Sequence, residues 1–206
     1  MSTILGIDPS LSSTGFFLFD DEEFEIIDYG YISTDDLEED KAMLKIHKIL
    51  SSILDKYDID KIGIEQEFYS RNVKTLRKLS HVHGVALLLF AQYEIPYTYY
   101  SVMTLKSKVL NGMKRKKEDG TKKSGDEIKQ EVAEKIFEVF GRTNFIKEFT
   151  DDVTDAASAA LTYYLMDGMS TDEYNSNKYK HDKEVLAKNQ KEIHGIIDKE
   201  IYNIEE

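Results

Sequence analysis

Two short apolar runs in this chain each stop on a carboxylate: Ile4-Leu5-Gly6-Ile7-Asp8 and Ile62-Gly63-Ile64-Glu65. Near-continuous apolar runs of this length read as strands buried on both faces, which calls for helices above and below a sheet. A charge ending such a strand is costly to desolvate unless it binds something. A third stretch, Asp152-Val153-Thr154-Asp155-Ala156-Ala157, opens a small-residue helix with two carboxylates three residues apart, hence on one face. Oxygen donors of this kind suit hard cations such as Mg²⁺. Two such ions, about 4 Å apart, can cleave a phosphodiester.

The pattern between these anchors predicts an element order. Residues 3–7, 15–19 and 24–32 read as a three-stranded meander with Asp20-Asp21-Glu22-Glu23 as a turn. A helix starting within 34–40, capped by Thr34 or Asp35, carries Met43, Leu44, Ile46, Ile49, Leu50, Ile53, Leu54 and Tyr57 at helical spacing. The next strand is 61–65, and a strand–helix–strand order implies parallel pairing. A loop over 66–72 leads to a helix over 73–93 and a strand over 95–100, where Pro96 suits an edge or a first position. Helices follow over 102–110, 126–140 and 152–166, with a mobile glycine-containing loop at 111–125. The order βββαβαβα, then more helices, places the chain in the α/β class: a mixed five-stranded sheet flanked by helices.

Residues 1–168 form the predicted domain, and 169–206 an extra C-terminal helical tail. In that tail Leu186, Gln190, Ile193, Ile197, Ile201 and Ile204 form a stripe at steps of three and four, suited to packing on the domain or on a second copy.

Composition narrows the classes. The chain has 206 residues, 41% of them apolar, enough for one domain. It has no cysteine, which excludes disulfides and thiolate zinc sites. No apolar run approaches the roughly 20 residues of a membrane span, and no basic-then-apolar leader opens the chain. A soluble, cytoplasmic protein with no membrane partner is expected. Net charge is -12, which argues against a general nucleic-acid coat. Its distribution says more. Residues 20–60 hold fourteen acids against four lysines, whereas residues 71–130 hold thirteen bases against five acids. A basic stretch inside an acidic chain predicts a focused anion-binding face. The densest run, 114–123, also suits a plainly solvated loop.

The element order, with carboxylates on strands one and four and a pair on a late helix, resembles the RNase H-like superfamily. The local words are similar to RuvC-type Holliday-junction resolvases. Ile4-Leu5-Gly6-Ile7-Asp8-Pro9-Ser10 with Thr14-Gly15 resembles that family's opening, Ile64-Glu65-Gln66-Glu67-Phe68 its second motif, and Asp152-Val153-Thr154-Asp155-Ala156 its terminal aspartate pair. Lys106 and Lys129 fall where the family keeps basic residues, and the match spans residues 3 to about 167 in the correct order. There are departures. Ser10 stands where the bacterial family usually has Gly, the insert at 112–124 is longer, and the tail after 168 does not match. These features resemble the phage-encoded branch, acting in the host bacterial cytoplasm on a wider range of branched DNA.

The resemblance implies an Mg²⁺-dependent endodeoxyribonuclease that resolves four-way and related branched DNA, leaving 5′-phosphate and 3′-hydroxyl nicks. Asp8 would bridge two Mg²⁺ or Mn²⁺ ions. Glu65 would complete one coordination sphere, and Asp152 with Asp155 the other. Lys129 and Lys106 would lie near the scissile phosphate, where a cation offsets transition-state charge; each also suits an ordinary surface lysine. Arg71, Lys74, Arg77 and Lys78 would hold the flanking backbone. Lys114, Arg115, Lys116, Lys117, Lys122 and Lys123 would grip DNA arms. Phe68, or alternatively Tyr69, would stack on or wedge between bases; the opposing reading of Phe68 is a loop-anchoring core aromatic. Junction symmetry calls for two active sites, hence a homodimer. By resemblance its face is the helix over 73–93, with Leu76, Leu79, Val82, Leu87 and Phe90 as candidates that also suit the core.

Bland readings remain for other residues. Asp151 suits helix-dipole stabilisation, Glu67 an exposed loop acid with an accessory metal ligand as the alternative, and His81 and His83 ordinary helix positions with DNA contact open to them. The Gly-Ile-Asp word also resembles the phosphate loop of sugar kinases, but that fold needs two such domains and far more chain. Two other classes stay open: an RNase H-like nuclease acting on RNA or RNA–DNA hybrid, and a non-catalytic junction-binding protein.

Overall fold

A computed structural model of the chain describes residues 2–67, 72–140 and 150–169. The apolar stripe at 186–204 and nearly all of the proposed 169–206 extension lie outside them. The strands are β1 (Thr3–Asp8), β2 (Ser13–Asp20), β3 (Ile26–Ser33), β4 (Lys61–Glu65) and β5 (Tyr97–Tyr100). The helices are α1 (Glu39–Lys56), α2 (Val73–Gln92), α3 (Val102–Val109), α4 (Gly125–Val139) and α5 (Asp151–Leu165). One mixed sheet runs β3-β2-β1-β4-β5, antiparallel through the meander and parallel from β1 to β4 to β5. The predicted α/β class, sheet and element order are all present.

Three boundaries differ, each for a local reason. β3 begins at Ile26 rather than residue 24. The Asp20 Oδ1 accepts the N–H groups of Glu22 and Glu23, each at 2.9 Å, and Phe24 follows at φ 53°, so the chain is still turning there. α1 begins at Glu39, and neither Thr34 nor Asp35 caps it. Thr34 Oγ1 instead donates to the Leu11 carbonyl, and Asp36 sits at φ 64°, which breaks the run before the helix. The loop over 111–125, expected to be mobile, is a small antiparallel hairpin. Lys116 pairs with Lys122, Lys117 N–H donates to the Thr121 carbonyl at 2.8 Å, and Gly120 turns at φ 85°.

Strand alternation builds two cores. Leu5, Ile7, Leu18, Ile62 and Ile64 face α1 and α2, meeting Ile46, Leu50, Val82 and Phe90. Ile4, Phe17 and Phe19 face α4 and α5, meeting Ile136, Phe140, Val153, Ala156 and Leu161. Rings lock this second layer: Phe17 and Phe140 centroids lie 4.9 Å apart, as do those of Phe24 and Tyr164. Val82 and Phe90, offered above as dimer residues, are therefore core residues.

α5 lies unusually close to the sheet. A Cβ at Gly6 would stand 1.9 Å from the Ala156 carbonyl oxygen, and one at Gly63 would stand 2.3 Å from that of Ala159. Bare glycines below and alanines above remove the side-chain layer that normally separates helix and strand, so the first turn of α5 reaches the strand ends. Among the described residues no helix is long and apolar enough to cross a membrane.

Candidate active site

The three acidic elements converge because of register. β1 and β4 are parallel neighbours with Ile7 opposite Ile64, so Asp8 and Glu65 end adjacent strands at the same edge. Asp8 also faces Gly15 across the β1–β2 ladder, and a Cβ on Gly15 would stand 2.1 Å from the Asp152 carbonyl oxygen. The start of α5 thus sits over Gly15, beside Asp8. Thr150 caps that helix, its side chain accepting from Val153 N–H at 3.4 Å. Ser13 Oγ donates to Asp152 Oδ2 at 2.6 Å, fixing the carboxylate from β2.

Three of the four acids hold protons more tightly than ordinary carboxylates. Burial raises Asp8 well above its usual value, and the charges of Glu65, Asp155 and Asp152 raise it further, while Lys129 opposes them. Glu65 is pushed up to about 7, by burial first and then by Asp155, with Lys106 and Lys129 pulling the other way. Asp155 is raised by burial; Lys129 and Lys106 oppose this, and Asp151 and Asp152 add to it. Asp8, Glu65, Asp152 and Asp155 thus lie close enough together to affect one another's charge. Among the described residues, no three acidic or histidine side chains are gathered tightly enough to grip an ion. An all-carboxylate donor set with unmet negative charge fits a hard divalent cation.

The basic residues divide into groups. Lys129, on α4, pairs with Asp151 at 2.9 Å, which raises its pKa, and its charge reaches Asp8, Glu65 and Asp155. Lys106, on α3, acts on Glu65 and Asp155. Lys74, Arg77 and Lys78 line the exposed first half of α2, and Arg77 lies 3.7 Å from Glu39. In the hairpin, Lys117 pairs with Glu127 at 2.5 Å and Lys123 with Glu131, so two of its lysines are folded onto α4. Lys114, Arg115, Lys116 and Lys122 have no acidic partner among the described residues. Phe68, Tyr69 and Arg71 lie outside the described residues.

A cleft of about 240 Å³ at the acids is lined by Asp126, Lys129, Gln130, Ala133, Asp151, Thr154 and Asp155. A roomier one, about 450 Å³, lies between the hairpin and α4, away from the acids. The smaller one borders the candidate site, because Asp155 and Lys129 line it.

Sequence reasoning missed several partners. Ser13 as a support for Asp152 left no local signal, since the two lie 139 residues apart. The Ser124–Glu127 capping box of α4 did leave one, in the Ser-x-x-Glu spacing. His81 Nδ1 meets Glu39 at 2.6 Å. His83 is buried, which removes it from DNA contact, and its Nδ1 lies 3.4 Å from Glu67 Oε2. Glu67 is exposed in its loop, as expected, with one carboxylate oxygen turned toward His83.

Comparison with known proteins follows the same lines. The family model described as crossover junction endodeoxyribonuclease RuvC matches residues 4–123. A curated relative of that name from Caldicellulosiruptor saccharolyticus is 28% identical over 166 residues, covering 79% of this chain and 92% of that protein. Another, from Treponema denticola, is 30% identical over 164 residues, 77% of this chain and 83% of that one. Among solved structures, T. thermophilus RuvC in complex with Holliday junction substrate superposes with a TM-score of 0.65 at 18% identity, covering 81% of this chain and 97% of that one. At that identity the likeness is one of fold.

Proposed function

The chain belongs to the crossover junction endodeoxyribonuclease RuvC family, and from that membership we propose that it is a structure-selective DNA endonuclease. It resolves Holliday junctions and related branched DNA by metal-assisted phosphodiester hydrolysis, as a homodimer in the cytoplasm. The observation that carries this reading is geometric: Asp8 and Glu65 end parallel neighbouring strands at one sheet edge, and the start of α5, with Asp152 and Asp155, packs on Gly15 beside them, where burial and mutual repulsion raise Asp8, Glu65 and Asp155.

Asp8, Glu65, Asp152 and Asp155 would hold two Mg²⁺ ions, with Mn²⁺ able to substitute. Such ions would supply Lewis-acid chemistry there, activating a water for attack and offsetting charge on the leaving 3′ oxygen. Ser13 orients Asp152 for that role through its 2.6 Å hydrogen bond. Lys129, held at the rim by Asp151, and Lys106 supply positive charge beside the acids, where it can meet a phosphate. The exposed cations of α2 and the hairpin would hold the arms of the junction.

The deciding experiment compares wild type with Asp8→Asn on matched four-way, forked, duplex and RNA–DNA hybrid substrates, with Mg²⁺ and with Mn²⁺. Wild type should nick the four-way junction. Asp8→Asn should bind it but cut more than about 100-fold more slowly, beyond the usual cost of losing an outer support of a metal ligand. Cutting confined to the hybrid would transfer the chain to RNA–DNA substrates. Binding without nicks in wild type would make it a junction-binding protein.

A further inference from the structure

We infer that His83 is a positioning residue for Glu65, acting through Glu67 to fix the exit of β4 and hold the Glu65 carboxylate at the acidic site. The inference rests on the nuclease reading above and deepens it.

An imidazole on the inner face of α2 needs explaining. His83 is 4% exposed, and apolar neighbours such as Val82 and Ala86 fill the rest of that face. A buried polar ring costs free energy unless a partner satisfies it. Its Nδ1 is buried and makes no hydrogen bond among the described residues, but lies 3.4 Å from Glu67 Oε2, within ion-pair reach. On its other side the ring lies 5.7 Å from that of Tyr99 on β5. The imidazole therefore sits between β5 and the segment that leaves β4.

That segment begins at Glu65. One residue on, the Gln66 N–H donates to the Tyr100 carbonyl at 2.9 Å, extending the β4–β5 ladder past the strand end. One further on, Glu67 meets His83. Two successive residues after Glu65 are thus tied to two different elements. The site gives a reason for this. Glu65 ends β4 beside Asp8 on its parallel neighbour β1, and two ionised carboxylates at one edge push each other apart. A flexible β4 exit would yield to that push; a pinned one keeps the ligand in place before the ion arrives. Burial favours the neutral form of His83 and the Glu67 charge opposes this; either form keeps at least one ring N–H that can turn to Glu67.

The test uses the full chain with His83→Ala, His83→Gln and Glu67→Ala. Steady-state junction cleavage gives kcat and KM, and calorimetric titration of Mn²⁺ without DNA gives ion affinity. His83→Ala and Glu67→Ala should each lower kcat about tenfold, leave KM for the junction within about twofold, and weaken Mn²⁺ binding about tenfold, the scale on which outer supports of metal ligands act. His83→Gln, which keeps an N–H donor, should recover most of both losses. The inference is overturned by unchanged kcat and Mn²⁺ affinity in Glu67→Ala. It is equally overturned if His83→Ala and His83→Gln lose activity alike with a lowered Tm, the mark of packing alone. If His83→Ala does not fold, Glu67→Ala decides, since that side chain is 37% exposed and its truncation spares the core. Should wild type cut no junction, the nuclease reading fails by itself. The Mn²⁺ arm then still decides: weaker binding in Glu67→Ala sustains the positioning role, and equal binding ends it.

Discussion

Glu65 carries the clearest pH signature in the molecule. Its carboxyl lies at about 7 in the folded chain against an ordinary 4.5, because burial and then Asp155 disfavour its charge. The native state therefore binds a proton there that the unfolded state has released. Its contribution to stability is complete below about pH 4.5 and is lost as pH rises through about 7. Asp8 and Asp155 are raised too, so they act in the same direction. Comparing wild type with Glu65→Gln by thermal melting, free of metal, isolates this effect. The variant should gain Tm relative to wild type at pH 7.5 and lose that gain at pH 4.5. Mg²⁺ at pH 7.5 should raise the wild-type Tm, since a ligand bound only by the folded state stabilises it, and should raise that of Glu65→Gln less. Equal melting of the two proteins at both pH values would mean that Glu65 is not held among like charges.

Between elements, the decisive contact is that of α5 with β1 and β2. Gly6→Ala would drive a methyl against a backbone carbonyl 1.9 Å away, which neither strand nor helix can avoid without separating. Overpacking costs about 1–3 kcal/mol, so a Tm loss of about 4–10 °C is expected, with cleavage falling because Asp152 and Asp155 lift with the helix. Gly125→Ala, at the open first position of α4, should leave both intact or add slightly to stability. The sequence made this packing legible through the alanine run and through the parity of Gly6 with Asp8 and of Gly63 with Glu65. Strand ends and element order were legible for the same reason, since apolar period and small residues are local signals. The hairpin was not. Its glycines and lysines read as mobile, but its order comes from Glu127 and Glu131 on the next helix, which hold Lys117 and Lys123. Of the site, the four acids could be read from their strand-end and helix-start positions, whereas Ser13 and His83 could not, because their partners are distant in sequence or hidden in an unremarkable loop. The pairing also divides the hairpin's lysines by role. Neutralising Arg115, Lys116 and Lys122 together should weaken junction binding and flatten log K against log salt by up to about 2.7, or roughly 0.9 per phosphate contact. Neutralising Lys117 and Lys123 should change the slope less and lower Tm. An unchanged slope in the triple variant would remove the hairpin from the DNA interface.

At the scale of the whole molecule, the question is how a chain of net charge -12 would meet both a polyanion and the second copy of itself proposed above. Self-repulsion is weakest where acids are absent, and α2 contains none over its twenty residues. Its first half carries Lys74, Arg77 and Lys78, suited to DNA, while its second half runs Gly84-Val85-Ala86-Leu87-Leu88-Leu89-Phe90. Val82 and Phe90 are spent on the core, which leaves half-buried Leu76, Leu79 and Leu87 beside Leu88 at 56% exposed and Val73 at 75%. An apolar outer stripe on a helix without acids is the surface on which two such chains can meet with little electrostatic cost. A closed two-fold contact would give two acidic sites related by the symmetry of a four-way junction. Leu88→Glu would place an unpaired charge in that contact, at a cost of about 3–5 kcal/mol. Sedimentation should show a dimer for wild type at micromolar concentration and a monomer for the variant. On a cruciform plasmid, the dimer should make paired nicks and release linear product, whereas the variant should accumulate nicked circles because its two cuts no longer share one binding event. Linear product from a demonstrably monomeric Leu88→Glu would show that paired cutting does not depend on α2.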